Sequence, residues 1–334
     1  MRLCRSRKVV PSPLLAWFGG FGRACPTLFV CGLLAACGSE PQTASPVQPP
    51  VKEPPVAAVA TIASAQEQFG GAKWPAALAG PSVIGSYARG CLARAQALPL
   101  DGPHWQVMRP SRNRYWGHPA LISFIERLSE RASNSGWRGL LVGDLGQPRG
   151  GPATSGHASH QIGLDADIWL TEMPARRLSE AERETTAAPS MLKADSIRVD
   201  RSEFTPGQAA LIKRAAQFDE VARIFVNPGI KKALCQSAGH DRAWLAKVRP
   251  WRGHDEHFHV RLRCPAGETM CQTQEPPPVG DGCGAELTSW LKSKDWLPGH
   301  GPEPVPAPIP MSALPGACVQ VIQAPDERQT AVNR

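Results

Sequence analysis

Two histidine clusters, far apart in sequence, constrain this chain more than any other feature. The first runs Ser155-Gly-His157-Ala-Ser-His160-Gln-Ile-Gly-Leu-Asp165-Ala-Asp167, the second Gly253-His254-Asp-Glu-His257-Phe-His259-Val-Arg261. If they serve one site, the fold must bring remote segments together. His257 and His259 sit two apart in an alternating run, and side chains two apart on a strand share a face. Both imidazoles then point one way while Phe258 and Val260 face a core. On a straight strand His160 and Asp167 would lie roughly 23 Å apart on opposite faces. Gly163 and the alternation of residues 164–170 argue against a helix. A turn near Gly163 that folds His160 back beside Asp167 is therefore expected. One His, one carboxylate and a second His make a three-ligand site that leaves a tetrahedral zinc ion its fourth position for water. The remaining imidazole of the HxH pair would stand beside that water as a proton acceptor. Any one of these histidines alone is more often a hydrogen-bonded loop residue; two dense clusters point to a metal.

The N-terminus reads as an export signal. Arg2, Arg5, Arg7, Lys8 and Arg23 precede or flank the apolar stretch Thr27–Leu34, which is too short to span a membrane. It ends in Leu34-Ala35-Ala36-Cys37, which resembles a bacterial lipobox with Cys37 as the lipidated first mature residue. Gly38 at the next position does not signal inner-membrane retention. The expected location is the periplasm, with a lipid anchor in the outer membrane; cleavage after Ala36 without lipidation is the alternative. The five leader cations also explain most of the formal net charge of +8, leaving about +3 for the rest. A nucleic-acid partner is not expected, and two tyrosines offer no base-stacking scaffold. Export permits disulfides. Cys91, Cys235, Cys264, Cys271, Cys283 and Cys318 follow the leader, none in a CxxC pair, and six cysteines allow fifteen connectivities. Oxidised cysteines are poor candidates for metal ligands.

The domain reading is residues 1–36 signal peptide, 37–70 flexible Pro-rich tether, 71–298 catalytic domain and 299–334 Pro-rich tail pinned through Cys318. Apolar spacing predicts a helix from His118 to Ser135, stopped by Gly136, and another from Thr205-Pro206 to Gln217 with Thr205 as cap. Short helices are predicted over 229–238, 241–248 and 285–292. Strands are predicted over 139–144, 164–170, 221–226 and 258–262. Residues 172–204 read as a polar surface insertion. The mixture indicates a compact α+β domain with a small antiparallel sheet, helices on one side and long loops.

The runs SHQIGLDADIWL, HDEHFHVRLRCP and GDGCGAEL resemble the penicillin-insensitive murein endopeptidases, within the LAS group of zinc metallopeptidases. The likeness extends from about Gly85 to Cys318 and includes Gln106–Arg109, Arg114–Pro119, Ile224–Pro228 and Val248–Trp251. It implies one zinc ion on His160, Asp167 and His259, with His257 as base. It associates His157 with the metal and makes His254 a candidate oxyanion stabiliser. It implies disulfides Cys91–Cys318, Cys235–Cys283 and Cys264–Cys271. The family's second metal site is not carried over, because residues 193–200 contain no histidine. Asp165 is read as a carboxylate orienting a ligand histidine or, equally, as a solvated strand-edge residue. The implied function is zinc-dependent hydrolysis of D-alanyl–diaminopimelate cross-links in peptidoglycan. The alternatives are a D-Ala-D-Ala carboxypeptidase on the same scaffold and a non-catalytic murein-binding lipoprotein.

Overall fold

The computed structural model describes residues 63–80, 82–194, 197–293 and 307–328. Cys37, the leader and most of the tether lie outside them. Among the described residues no helix is long and apolar enough to cross a membrane.

The first described element is α1 (Ala65–Gly71), whose N-terminus is closed by a capping box between Ser64 and Glu67. The hairpin β1 (Ser82–Ser86) and β2 (Arg89–Ala93) follows. Short strands β3 (Gln96–Ala97), β4 (Asp101–Gly102), β5 (Trp105–Val107) and β6 (Trp116–Gly117) lead into α2 (Pro119–Ser133). His118 caps α2 and Pro119 starts it, and Leu121, Phe124, Ile125 and Leu128 line its buried face. β7 (Leu140–Val142), β8 (Asp165–Glu172), α3 (Glu180–Thr185) and α4 (Pro206–Ala216) come next. As predicted, Thr205 caps α4, in a box with Gln208. The rest comprises β9 (Val221–Val226), α5 (Pro228–Ser237), β10 (Val248–Pro250), β11 (His257–Leu262), α6 (Ala285–Lys292) and α7 (Ala317–Gln323).

The fold is α+β, but its main sheet is larger than expected and is mixed. Seven strands lie in the order β10-β9-β11-β8-β7-β5-β4. The middle pairs are antiparallel, while β10–β9 and β5–β7 are parallel. Alternation sorts the two faces. Ala166, Ile168, Leu170, Phe258, Val260 and Leu262 enter one apolar cluster with residues of α2, α4 and α5. Asp165, Asp167, Trp169, His257, His259 and Arg261 take the opposite face. α2, α4 and α5 therefore cover one side and the functional side chains lie on the other.

Three expectations need correction. Residues 172–204 are not merely a surface insertion: Met191, Leu192 and Phe204 are buried in the main core. Isolated apolar residues without a period leave no pattern to read. Residues 241–248 hold a 3-10 turn (Ala243–Lys247) and the first residue of β10, because the chain straightens to pair with β9 from Val248 to Pro250. The tether expectation fails at its end, since Ala65 and Phe69 of α1 are fully buried. The described part of the tail, held through Cys318, carries a helix. α7 buries Cys318 and Val321 in the same small cluster as Ala65 and Phe69. Arg149 holds that segment by donating to the carbonyls of Val321 (2.6 Å) and Ile322 (2.7 Å) and to Asp326 Oδ1 (2.8 Å).

The three implied disulfides are all formed: Cys91–Cys318, Cys235–Cys283 and Cys264–Cys271, with sequence separations of 227, 48 and 7. Loop-closure entropy assigns the longest loop the largest stabilisation. Replacing Cys91 and Cys318 by Ala should cost about 5 kcal/mol, against about 2 kcal/mol for Cys264 and Cys271, by guanidinium unfolding of oxidised protein. Equal losses would contradict this account.

Candidate metal centre

The β8–β11 register builds the centre. His259 pairs with Asp167, and Arg261 with Asp165, directly across the ladder. Partners in such a pair have Cβ atoms about 5 Å apart, so carboxylates and cations meet without long reach. His160 comes from the loop before β8. That loop reverses as expected: His160 and Gly163 both have positive φ, 65° and 69°. Gly163 is required there, because a Cβ would lie 2.3 Å from Leu92 Cδ2 and 2.8 Å from the His118 nitrogen. The His160 amide donates to Asp165 Oδ2 at 3.0 Å, which fixes the reversal.

Three acceptor atoms converge. Asp167 Oδ1 lies 3.1 Å from His259 Nδ1 and 3.4 Å from His160 Nε2. The two imidazole nitrogens are 3.1 Å apart. Each ring has its other nitrogen against an acceptor: His160 Nδ1 faces the Leu145 carbonyl, and His259 Nε2 lies 3.1 Å from Asp165 Oδ1. The Leu145 carbonyl accepts from the His160 Nδ1–H; His259 Nε2 makes no hydrogen bond, but the charge of Asp165 beside it favours the proton there, so both lone pairs turn inward. Asp167 Oδ1 is buried and accepts no hydrogen bond. Two nitrogen lone pairs and a carboxylate oxygen gathered in this way need a positive charge between them. Without a metal, a proton on His259 supplies it. Burial opposes the charged ring, but Asp165 and Asp167 raise its pKa to about 9. The residues thus fit a divalent cation.

His157 extends the set. Its Nε2 is 3.0 Å from Asp144 Oδ2, which leaves Nδ1 facing Asp167 Oδ2 at 3.5 Å. The metal-binding atoms of His157, His160 and Asp167 lie within 4.8 Å of one another. The trio of His160, Asp167 and His259 is tighter. His257 stands on the open side, with Nε2 3.7 Å from Asp167 Oδ1. Burial pushes its pKa down, against the pull of Asp167. His254 lies beside it, with ring centroids 5.0 Å apart. Burial, then His257 and His259, lower its pKa to about 3. Its Nδ1–H donates to the Arg252 carbonyl at 2.7 Å, so a neutral His254 presents an acceptor at Nε2. It becomes a donor toward an oxyanion only after taking up a proton.

Of the two readings of Asp165, the solvated one is overturned. The side chain is fully buried and receives Arg261 through Nε (2.8 Å) and Nη2 (3.2 Å). Sequence reasoning missed Arg261, although it shares the alternation of His257 and His259. It also missed Asp144, which sits just past β7. Burial works against the Asp144 carboxylate, but His157, Arg114 and Arg112 hold its pKa at about 2. Arg114 and Arg112 donate to the same oxygen at 3.0 and 3.2 Å. No spacing rule links residues 112, 114, 144 and 157.

Two histidines, a carboxylate and an adjacent free imidazole on an α+β scaffold define a site suited to a catalytic divalent metal. The sequence pattern of the family described as "Penicillin-insensitive murein endopeptidase" matches residues 83–323. Proteins of that name are similar over most of their length. That of Haemophilus influenzae is 48% identical over 250 residues, covering 74% of this chain and 85% of the relative. That of Pectobacterium atrosepticum is 50% identical over 232 residues, covering 70% and 82%. That of Klebsiella pneumoniae is 49% identical over 231 residues, covering 69% and 83%. The chain belongs to the penicillin-insensitive murein endopeptidase family.

Asp144→Asn removes the charge that sets the His157 tautomer. It should weaken binding of a divalent metal about 10- to 100-fold in a chelator competition, with the far-UV spectrum of the metal-free protein unchanged. Unaltered affinity would mean that His157 needs no such partner.

Proposed function

We propose that this protein is a zinc-dependent murein endopeptidase that hydrolyses D-alanyl–diaminopimelate cross-links in peptidoglycan. The supporting observation is the convergence of His160 Nε2, Asp167 Oδ1 and His259 Nδ1, with His257 on the open side, in a chain of this family. Three protein ligands of N and O type with an open position suit catalytic zinc. Bound there, the ion would lower the pKa of a water to about 7 and polarise the scissile carbonyl.

The chain's own residues do the rest. His257, kept neutral by burial, takes a proton from the attacking water and returns it to the leaving amine. Neutral His254 only accepts at Nε2; the oxyanion role would require a further proton taken from solvent, held there against burial by the negative charge developing on the carbonyl oxygen. His160 and His259 keep their lone pairs inward through Leu145 and Asp165, so the site is arranged before substrate arrives. Arg261 balances the buried charge of Asp165. Neither a serine nor a thiolate attacks in this scheme, and all six described cysteines are in disulfides. A serine-trapping β-lactam therefore has no target.

The same reading places the enzyme in the periplasm. Cys37 is the proposed site of a lipid anchor to the outer membrane, with residues from Gly38 onward as spacer. Mass spectrometry of the mature N-terminus checks this, and an unmodified residue there would refute the anchor.

Digestion of intact sacculi tests the activity. Dimeric muropeptides should collapse to monomers with zinc and persist with a chelator. Trimming of pentapeptide stems with dimers left intact would instead identify a D-Ala-D-Ala carboxypeptidase. His257→Ala should lower kcat by about 10²–10⁴ while zinc remains bound. Full turnover in that variant would eliminate His257 as the base.

A further inference from the structure

We propose that Trp251 is a docking platform for an amino-sugar ring of the glycan strand from which the cleaved stem hangs; this rests on the murein reading above. A line of aromatic rings leads outward from the metal centre. Phe225 pairs with His259 across the β9–β11 ladder, and their ring centroids are 5.4 Å apart. Trp251, just past β10, lies 5.6 Å from Phe225, and Trp290 of α6 lies 5.8 Å from Trp251. Trp290 packs back against the core, so the exposed ring of the line is Trp251.

Trp251 is 48% exposed, the most of any described tryptophan. Of the other exposed large apolar residues, none shares these ring contacts with the centre. Leaving so much indole in water is unfavourable, and such surface beside a site commonly marks an interaction. Its neighbours hold the ring without covering it. Phe225 meets it at 63° and Trp290 at 52°, so neither lies parallel against its face. A ring held in this way loses little entropy when a ligand stacks on it.

Chemistry and reach favour a sugar. A pyranose ring has a face of C–H groups that packs on an indole and a rim of hydroxyls that stays in water, which suits a half-exposed platform. A peptide stem of murein carries carboxylates, for which an indole face supplies no counter-charge. The path through Phe225 gives a separation between His259 and Trp251 of at most about 11 Å, from ring steps of 5.4 and 5.6 Å. The four stem residues up to the D-alanyl bond span at most roughly 14 Å. A slightly bent stem with that bond at the metal centre therefore lets its sugar reach Trp251.

The test uses Trp251→Ala and Trp251→Phe in the zinc-loaded protein on two substrates: intact sacculi, and a cross-linked peptide dimer freed of sugar by an amidase. Trp251→Ala should raise KM on sacculi about tenfold with kcat unchanged, as expected for loss of one stacking contact. Trp251→Phe should recover most of that, and the sugar-free dimer should be cleaved equally well by all three proteins. An equal loss on the sugar-free dimer would assign Trp251 to the peptide stem, and no loss on either substrate would leave it without a role in docking; both overturn the proposal. A binding measurement keeps this separate from the activity reading. Chitotetraose should bind chelator-treated native protein more tightly than chelator-treated Trp251→Ala, even if sacculi are not cleaved. Equal binding to both would also overturn it.

Discussion

The structure turns on two carboxylates buried side by side on one strand. Asp165 and Asp167 share a face of β8 where water does not reach. Uncompensated, such charges are prohibitive in an interior. The register with β11 sets Arg261 opposite Asp165 and His259 opposite Asp167, so each carboxylate meets a cation or a polarisable ring. Desolvation would raise both pKa values, yet Arg261 beside Asp165 and His160 beside Asp167 hold both well below the ordinary carboxylate range. A one-residue slip of β11 would send the histidines into the core and Phe258 and Val260 onto the site. Register here is thus a functional quantity as well as a packing one.

From that pair the site grows outward by fixing protons. The Leu145 carbonyl orients His160, Asp165 orients His259, Asp144 orients His157, and the Arg252 carbonyl orients His254. Each contact occupies one ring nitrogen and leaves the other available. On the open side His257 meets Asp167 only at 3.7 Å, and burial outweighs that pull, lowering its pKa and leaving it neutral and ready to accept a proton. Rigid β-structure supplies the deepest groups and also His257, the first residue of β11, while His254 rides on the loop before that strand. That loop is tied down by the Met191 amide, which donates to the Asp255 carbonyl at 2.8 Å. The segment after β8 therefore supports the site as well as the core.

Much of this was legible beforehand where a period exists. Alternation around His257 and His259 revealed their common face, and the clash between that alternation and a helical path for residues 160–167 called for the turn at Gly163. Capping chemistry marked α4 at Thr205. The same reasoning failed where contacts are single and distant. Met191 and Phe204 join the core without a local pattern, and α7 folds because it buries Cys318 and Val321 against α1. The disulfide pairs came from family likeness; spacing alone left them open.

The sequence by itself determined which residue types could share a face, where the chain had to turn, and that a carboxylate and two imidazoles were available for a metal, because these follow from side-chain periodicity and glycine's access to positive φ. Only the tertiary structure decided which nitrogen of each ring faces inward, that Asp144 stands behind His157, that His254 begins as an acceptor, and that Trp251 lies in line with the centre. Those outcomes depend on contacts between segments remote in sequence, set by sheet order and core packing, and no local pattern encodes them.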